Sequence, residues 1–286
     1  MKNFIKPIIK KAINWAVVAM SKNFIGRYIY SQIITNVMDR RQNIEHMGLE
    51  LMFTTPNELN QYRADSFSSK EPETLEWIDK IPEYSVFWDI GANVGLYSCY
   101  AAKKIKCNVF SFEPSVFNLE LLARNIFINN LTDRITIIPL PLSETLAVNK
   151  LNMTTTEWGG ALSTFGESFG YDGQAMNKIF DFTVIGLSMC DAIDSLKIPQ
   201  PDFIKMDVDG IEHLILKGGI PVLEGVKGIL IEINDSFSTQ ASEASKLLLK
   251  AGFKLKEKRH AEEFDTGMGK DTFNQIWEKK AQGALA

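Results

Sequence analysis

The run Val86-Phe87-Trp88-Asp89-Ile90-Gly91-Ala92-Asn93-Val94-Gly95 constrains this chain more than any other stretch. An apolar segment ends in an acid, and glycines follow two and six positions later. A buried parallel strand that turns sharply into a helix, with a ligand lying over the turn, has this form. Gly91 lets the backbone approach a ligand with no Cβ in the way. Gly95 lets the next helix pack close to the strand, and Asn93 lies between them in the turn. The free N–H groups at the helix start favour negative charge. A second acid, Glu113, ends the next apolar run, Asn108 to Phe112, 22 positions after Gly91. An acid near this spacing holds a ribose hydroxyl pair in nucleotide-binding folds.

The same spacing excludes other ligands. A dinucleotide fingerprint needs G-x-G-x-x-G, whereas this chain has G-x-N-x-G. The Gly-Lys-Ser/Thr end of a phosphate loop is missing. Asp89 stands where it would repel a pyrophosphate, and an acid there suits a cationic ligand instead. S-adenosylmethionine, which carries a sulfonium, an ammonium and a ribose, fits that logic.

Charge is unevenly spread. Residues 1–41 hold eight Lys or Arg against the single acid Asp39, a net +7; the whole chain is −4, so the remainder carries −11. The acidic balance of the remainder argues against a nucleic-acid partner. Cys99, Cys107 and Cys190 have neither metal nor disulfide spacing, which points to a reducing, cytoplasmic compartment. His46, His213 and His260 make no cluster.

Within residues 1–43, Phe4, Ile5, Ile8, Ile9, Ala12, Ile13, Ala16, Val17 and Met20 recur at helical spacing. The run Ala12 to Met20 is short for a bilayer span, which takes about 20 apolar residues. No convincing A-x-A site for a signal peptide follows it. Two readings stay open: a helix that packs on the domain or on a second subunit as a homodimer, and a basic amphipathic helix lying at the inner face of a membrane.

Residues 44–85 read as a hairpin over 44–56, a polar loop over 62–72 and a helix over 73–80 with Leu75 and Ile78 inward. From residue 86 to 286, strands and helices alternate, which predicts an α/β fold with a mostly parallel sheet covered on both faces. Strands are expected near 86–90, 108–112, 134–140, 202–207, 228–233, 253–259 and 272–279. Helices are expected over 94–104, 115–130, 211–217 and 239–251. The 115–130 helix is expected to turn Leu119, Leu122, Ile126 and Phe127 to the core. The stretch 143–201 is far longer than a crossover needs. Its glycines and aromatics (Trp158, Gly159, Gly160, Phe169, Gly170, Tyr171) suggest an insertion that closes over a substrate.

Ligands of open α/β sheets lie beyond the carboxyl ends of the strands. The candidates there are Asp89, Glu113, Ser143, Glu144, Asp207, Asp209, Glu232 and Asn234. Lys205, Asp207, Asp209, Glu212 and His213 form a charged cluster around one strand end, where unpaired burial would be costly. Asp207, Glu212 or His213 is the expected proton acceptor, with Lys205 beside them.

With these residues in view, the chain resembles the FkbM family of S-adenosylmethionine-dependent methyltransferases. The resemblance rests on Lys70 to Thr74, Phe87 to Gly95, Phe112-Glu113-Pro114, Asn125 with Asn129, Leu142-Ser143-Glu144, and Ile204 to Glu212. Asp209 stands where the family pattern has Glu, and Ile211 where it has Ala. The resemblance implies a class I, Rossmann-like sheet of seven strands with the last antiparallel. It implies that Asp89 and Gly91 line the methionine part of the cofactor; Asn93, Gly95 and Asp207 are further cofactor-binding candidates. It also implies Glu113 at the ribose, Ser143 with Glu144 at the adenine, and transfer to oxygen, often a sugar hydroxyl of a glycan or natural product.

No metal is assigned in this reading. A rival is Mg²⁺-assisted O-methylation with Asp207, Glu232 and Asn234 as oxygen ligands. Methylation of nitrogen is disfavoured because an Asn/Asp-Pro-Pro-aromatic motif is missing after the fourth strand. A rival of another class is an inactive cofactor-binding or membrane-tethered regulatory module.

Overall fold

The computed structural model describes residues 2–267 and 269–279. The stretch 280–286 of the expected domain lies outside the described residues. Two helices, α1 (Lys2–Met20) and α2 (Phe24–Met38), form the N-terminal extension. Asn23 caps α2 by accepting the Gly26 amide at 2.7 Å. A Cβ on Gly26 would lie 2.0 Å from the Met20 carbonyl oxygen, so glycine permits the tight turn between the helices. The two helices pack against each other.

A hairpin follows, β1 (Arg41–His46) and β2 (Leu49–Thr54), and its first three residues fall inside the stretch assigned to the extension. The segment read as a loop over 62–72 is partly helical: α3 (Glu58–Asp65) runs into it, capped by the Asn57 side chain. Next, α4 (Pro72–Ile78) buries Leu75 and Ile78, as the pattern demanded.

The main layer is built from β3 (Val86–Ile90), α5 (Leu96–Lys104), β4 (Asn108–Phe112), α6 (Val116–Ile128) and β5 (Ile135–Ile138). The stretch after β5 forms β6 (Ala147–Met153), β7 (Ser163–Phe165), β8 (Phe180–Gly186) and α7 (Met189–Asp194). The chain then returns through β9 (Phe203–Met206), α8 (Glu212–Lys217), α9 (Ile220–Leu223), β10 (Gly228–Asn234), α10 (Ser238–Lys250), β11 (Phe253–Arg259) and β12 (Thr272–Lys279). The seven-stranded sheet runs β11-β12-β10-β9-β3-β4-β5. Strands β4 and β9 flank β3 in parallel, and β12 is antiparallel to both neighbours. Among the described residues no α-helix joins β11 to β12, and a parallel return would need a crossover of a dozen residues or more.

Successive side chains of the central strand point to opposite faces, so Phe87 and Trp88 serve different cores. One face holds Phe87, Tyr100, Val109 and Leu122 with Leu51 and Phe53 of the hairpin. The other holds Trp88, Phe112, Ile204, Ile215 and Leu248. Asn125 and Asn129 of α6 stitch the hairpin down. Asn125 accepts the Thr54 amide at 2.8 Å and donates to the Val94 carbonyl at 2.8 Å. Asn129 bonds both the amide and the carbonyl of Met52.

Two expectations are corrected. Phe127 is exposed, because α6 turns only Leu121, Leu122, Asn125 and Ile126 fully inward along its second half. Gly95 serves a helix contact rather than a strand contact: a Cβ there would lie 2.4 Å from Leu122 Cδ1. The stretch 143–201 contains a three-stranded antiparallel sheet, β7-β6-β8, whose Leu151, Met153 and Phe165 complete the second core. Short strands paired across non-local loops leave little local periodicity to read.

Candidate active site

The strand order reverses beside β3: the chain moves outward through β4 and β5, then returns to β9 on the other side. A crevice opens at the carboxyl ends of strands at such a point. Two adjoining cavities occupy it, of about 300 Å³ and about 70 Å³. Gly91, Asn93, Ala161, Asp207 and Asp209 line both and mark the seam.

Asp207 follows β9 directly. Its Oδ2 lies 3.2 Å from Nζ of Lys205, whose side chain is almost wholly buried. The Lys205 ammonium also sits 5.0 Å from the centre of the Tyr97 ring. Burial favours the neutral amine, but Asp207, Asp89 and Glu71 outweigh it and raise the lysine above its ordinary range. Burial likewise disfavours the Glu71 carboxylate, yet Lys70, 2.9 Å away, and Lys205 pull it down to about 2. Asp209 is pushed up to about 6 by burial and by the Asp207 charge. Glu232 is raised well above the carboxylate range by burial, then by Asp207 and Asp209. The larger cavity thus gathers five acids, Glu71, Glu73, Asp207, Asp209 and Glu232, against Arg63, Lys70 and Lys205. Such a surplus of carboxylate suits a cation.

Glu113 lines the smaller cavity, whose walls include Ile90, Phe112, Leu140 and Leu142. One of its oxygens accepts the Asn93 amide and the other the Ser115 amide, each at 2.8 Å. Burial still pushes its carboxyl up to about 7. Asn93 has a positive φ of 50° and donates its side-chain amide to the Gly160 carbonyl at 2.9 Å. Its Oδ1 is buried with no hydrogen-bond partner, an acceptor left at the seam of the two cavities. A donor on a bound nucleoside would satisfy it, and each Glu113 oxygen retains accepting capacity for a ribose hydroxyl.

A strap of residues 158–163 crosses the seam. The Leu162 amide donates to Asp209 Oδ2 at 2.7 Å. Asn118 donates to the Gly160 carbonyl at 3.0 Å and accepts the Gly159 amide at 3.1 Å. Arg63 of α3 holds the Gly159 carbonyl at 2.7 Å. The sequence reading placed the Trp158–Ser163 stretch near substrate but not Arg63, Glu71, Tyr97 or Asn118. Lys70-Glu71 ahead of Pro72 was the available signal, since a charged pair at a helix start seldom buries without a partner.

Of the remaining candidates only Gly91 lines the cavities. Asp89 is buried beneath the turn, where its carboxylate accepts from Ser98 and its other oxygen has no hydrogen-bond partner; it lines neither cavity. Gly91 has a φ of +84°, and a Cβ on it would fall 1.8 Å from the Asp207 carbonyl oxygen. Glycine is required there by the adjacent chain, not only by a ligand. Gly95 is the left-handed N-cap of α5. Ser143 bonds the Thr145 carbonyl, and Glu144 turns outward to Lys217 at 2.8 Å. Both lie off the cavities, whose wall stops at Leu142. Glu212 is fully buried and accepts the Val208 and Gly210 amides, plus the Gln240 side chain, which shapes the loop after β9. His213 packs on Phe237 with its ring centre 5.9 Å away. Neither lines a cavity, because the loop Val208–Ile211 directs them into the α8–α10 packing. Asn234 bonds Ser236 and is also absent from the cavity wall.

This sheet order, with its antiparallel last strand and an acid-rich crevice at the switch point, defines a class I, Rossmann-like methyltransferase. Residues 89–255 match the family described as the methyltransferase FkbM domain. The chain belongs to that family and is a methyltransferase. It is 26% identical over 198 residues to the hexuronic acid methyltransferase AglP of Haloferax volcanii, covering 66% of this chain and 73% of that protein. Among solved structures, it is similar to a methyltransferase FkbM from Methylobacillus flagellatus, at 16% identity and a TM-score of 0.49, over 89% of this chain and 59% of the other. It is also similar to a precorrin-6y C5,15-methyltransferase from Geobacter metallireducens, at 15% identity and a TM-score of 0.44, over 73% of this chain and 87% of the other.

Proposed function

We propose that the chain methylates an oxygen of a sugar-class acceptor, with S-adenosylmethionine as donor. The observation that carries this reading is Asp207, at the end of β9, facing both a carboxylate-rich cavity and a slot lined by Glu113. When bound, S-adenosylmethionine supplies a methyl carbon on positively charged sulfur, a leaving group that needs no acid. Glu113 would hold the ribose hydroxyls, Asn93 and the Gly91 turn the middle of the ligand, and the carboxylates of the larger cavity its positive charge. The slot of about 70 Å³ is small for a nucleoside, so the strap 158–163 has to shift for entry.

In this reading Asp207 takes the proton of the acceptor hydroxyl as the oxygen–carbon bond forms. Lys205 fixes its carboxylate from one side. Proton transfer of this kind contributes about 10²- to 10⁴-fold, and holding the acceptor oxygen in line contributes the larger share. The hexuronic acid named for the Haloferax relative makes uronic sugars the first acceptors to try. Three free cysteines support a cytoplasmic setting.

The test is methyl transfer from labelled donor to a panel of neutral and uronic sugars, with Asp207→Asn beside the parent. Asp207→Asn should bind the donor normally and lose turnover. Full activity in that variant removes Asp207 from the chemistry. A second reading has a divalent cation at the carboxylates of Asp207, Asp209 and Glu232, whose oxygens come within 4.8 Å of one another. Asp209 takes the place that the sequence reading gave Asn234. Turnover unchanged by excess EDTA would eliminate it.

A further inference from the structure

The α1–α2 hairpin is the part of the chain whose surface has no account in the methyl-transfer site. Of 26 large hydrophobic side chains exposed on the described molecule, 13 fall between Ile8 and Val37. Trp15 is 75% exposed, Phe24 77% and Ile25 70%. Between Phe24 and Val37 on α2, every residue but Gly26 is exposed. Surface apolar residues scattered singly need no explanation, but a contiguous patch of this extent marks an interaction surface. Isolated helices of this length are also marginal in water without a partner.

We propose that this hairpin docks the protein on an anionic lipid bilayer, lying in the interface rather than crossing it. Four observations choose lipid over other partners. No helix among the described residues is long and apolar enough to cross a membrane. On α1, Ile8, Ile9, Ala12, Trp15 and Ala16 share one face, while Lys10 and Asn14 lie opposite, the arrangement of an interfacial basic helix. Trp15, Tyr28 and Tyr30 supply rings suited to the headgroup level. Finally, residues 1–41 carry +7 against −11 for the remainder. A second copy seated on the hairpin would set +7 against +7, whereas an anionic leaflet attracts the hairpin and repels the body. The orientation follows: hairpin down, acidic domain held off the surface.

The experiment is flotation of the full chain with vesicles of equal phosphatidylglycerol and phosphatidylcholine, and with phosphatidylcholine alone. Sedimentation without lipid reports self-association. The chain should float with the anionic vesicles only, and less so as salt rises. Each cation removed should weaken binding about 5-fold, so Lys10→Gln with Lys11→Gln together cost about 30-fold. Trp15→Ser should weaken binding without touching the salt dependence. The side chains of Lys10, Lys11 and Trp15 are exposed, so all three substitutions should leave the melting transition of the domain unchanged. Equal recovery with both vesicle types, or none with either, overturns the proposal. So does a stable hairpin-dependent dimer that leaves vesicles unbound.

Discussion

Lys205 Nζ and Asp207 Oδ2 lie 3.2 Å apart, the lysine almost wholly buried and the aspartate open to the crevice. One cation thereby serves three acids, since Asp89 and Glu71 also raise the lysine. Lys205→Met would leave those acids without it. Removing one member of a buried charge pair costs about 3–5 kcal/mol, and urea unfolding measures it. Glu71 adds a pH signature. Its folded value, about 2, lies below its ordinary 4.5. The stability it contributes is present above pH 4.5 and is lost as pH falls toward 2. Lys205→Met should shrink that acid-side loss.

Glu113 has the opposite sign. Its folded value of about 7 lies above the ordinary 4.5. The native state therefore holds an extra proton between those values, and the ligand-free protein should lose stability as pH rises from 4.5 through 7. Glu113→Gln should flatten that decline in thermal melts across pH. It should also weaken binding of S-adenosylhomocysteine about 10- to 100-fold, the worth of hydrogen bonds to a charged group.

Asp209 holds the strap through the Leu162 and Ser163 amides. Asp209→Ala should expose residues 158–163 to limited proteolysis and lower kcat/KM about tenfold or more. Asp209→Asn, which retains an acceptor oxygen, should keep the strap protected.

Two glycines make an internal comparison. Gly91 and Gly48 both have positive φ, but a Cβ on Gly91 strikes the Asp207 carbonyl while one on Gly48 meets open space. Gly48→Ala should cost only the left-handed backbone penalty, about 1–2 kcal/mol. Gly91→Ala adds a backbone clash and should cost roughly 2–5 kcal/mol. Equal losses in denaturant midpoints would deny the clash.

Much of the fold is legible in the sequence. The central strands are continuous apolar runs because both faces are buried, and acids such as Glu113 and Asp207 stand out at their ends. The site is less legible. Glu212 looks as chemical as Asp207 in the sequence, yet four residues of loop turn it from the crevice into amides that need an acceptor. Ser143 and Glu144 fail for a similar reason: the chain at Leu142 pairs with Leu187 and swings away. Arg63, Glu71 and Asn118 reach the crevice from separate elements, a juxtaposition that no local spacing encodes.

The central claim is that Glu113 and the carboxylates around Asp207 form a seat for a sulfur-linked nucleoside. Isothermal titration of the purified chain with S-adenosylhomocysteine tests it most directly. One saturable site per chain, weakened in Glu113→Gln and preserved in Asp207→Asn, is the predicted result. No binding heat at any pH where the parent chain is folded, and no change in its melting temperature, would contradict it.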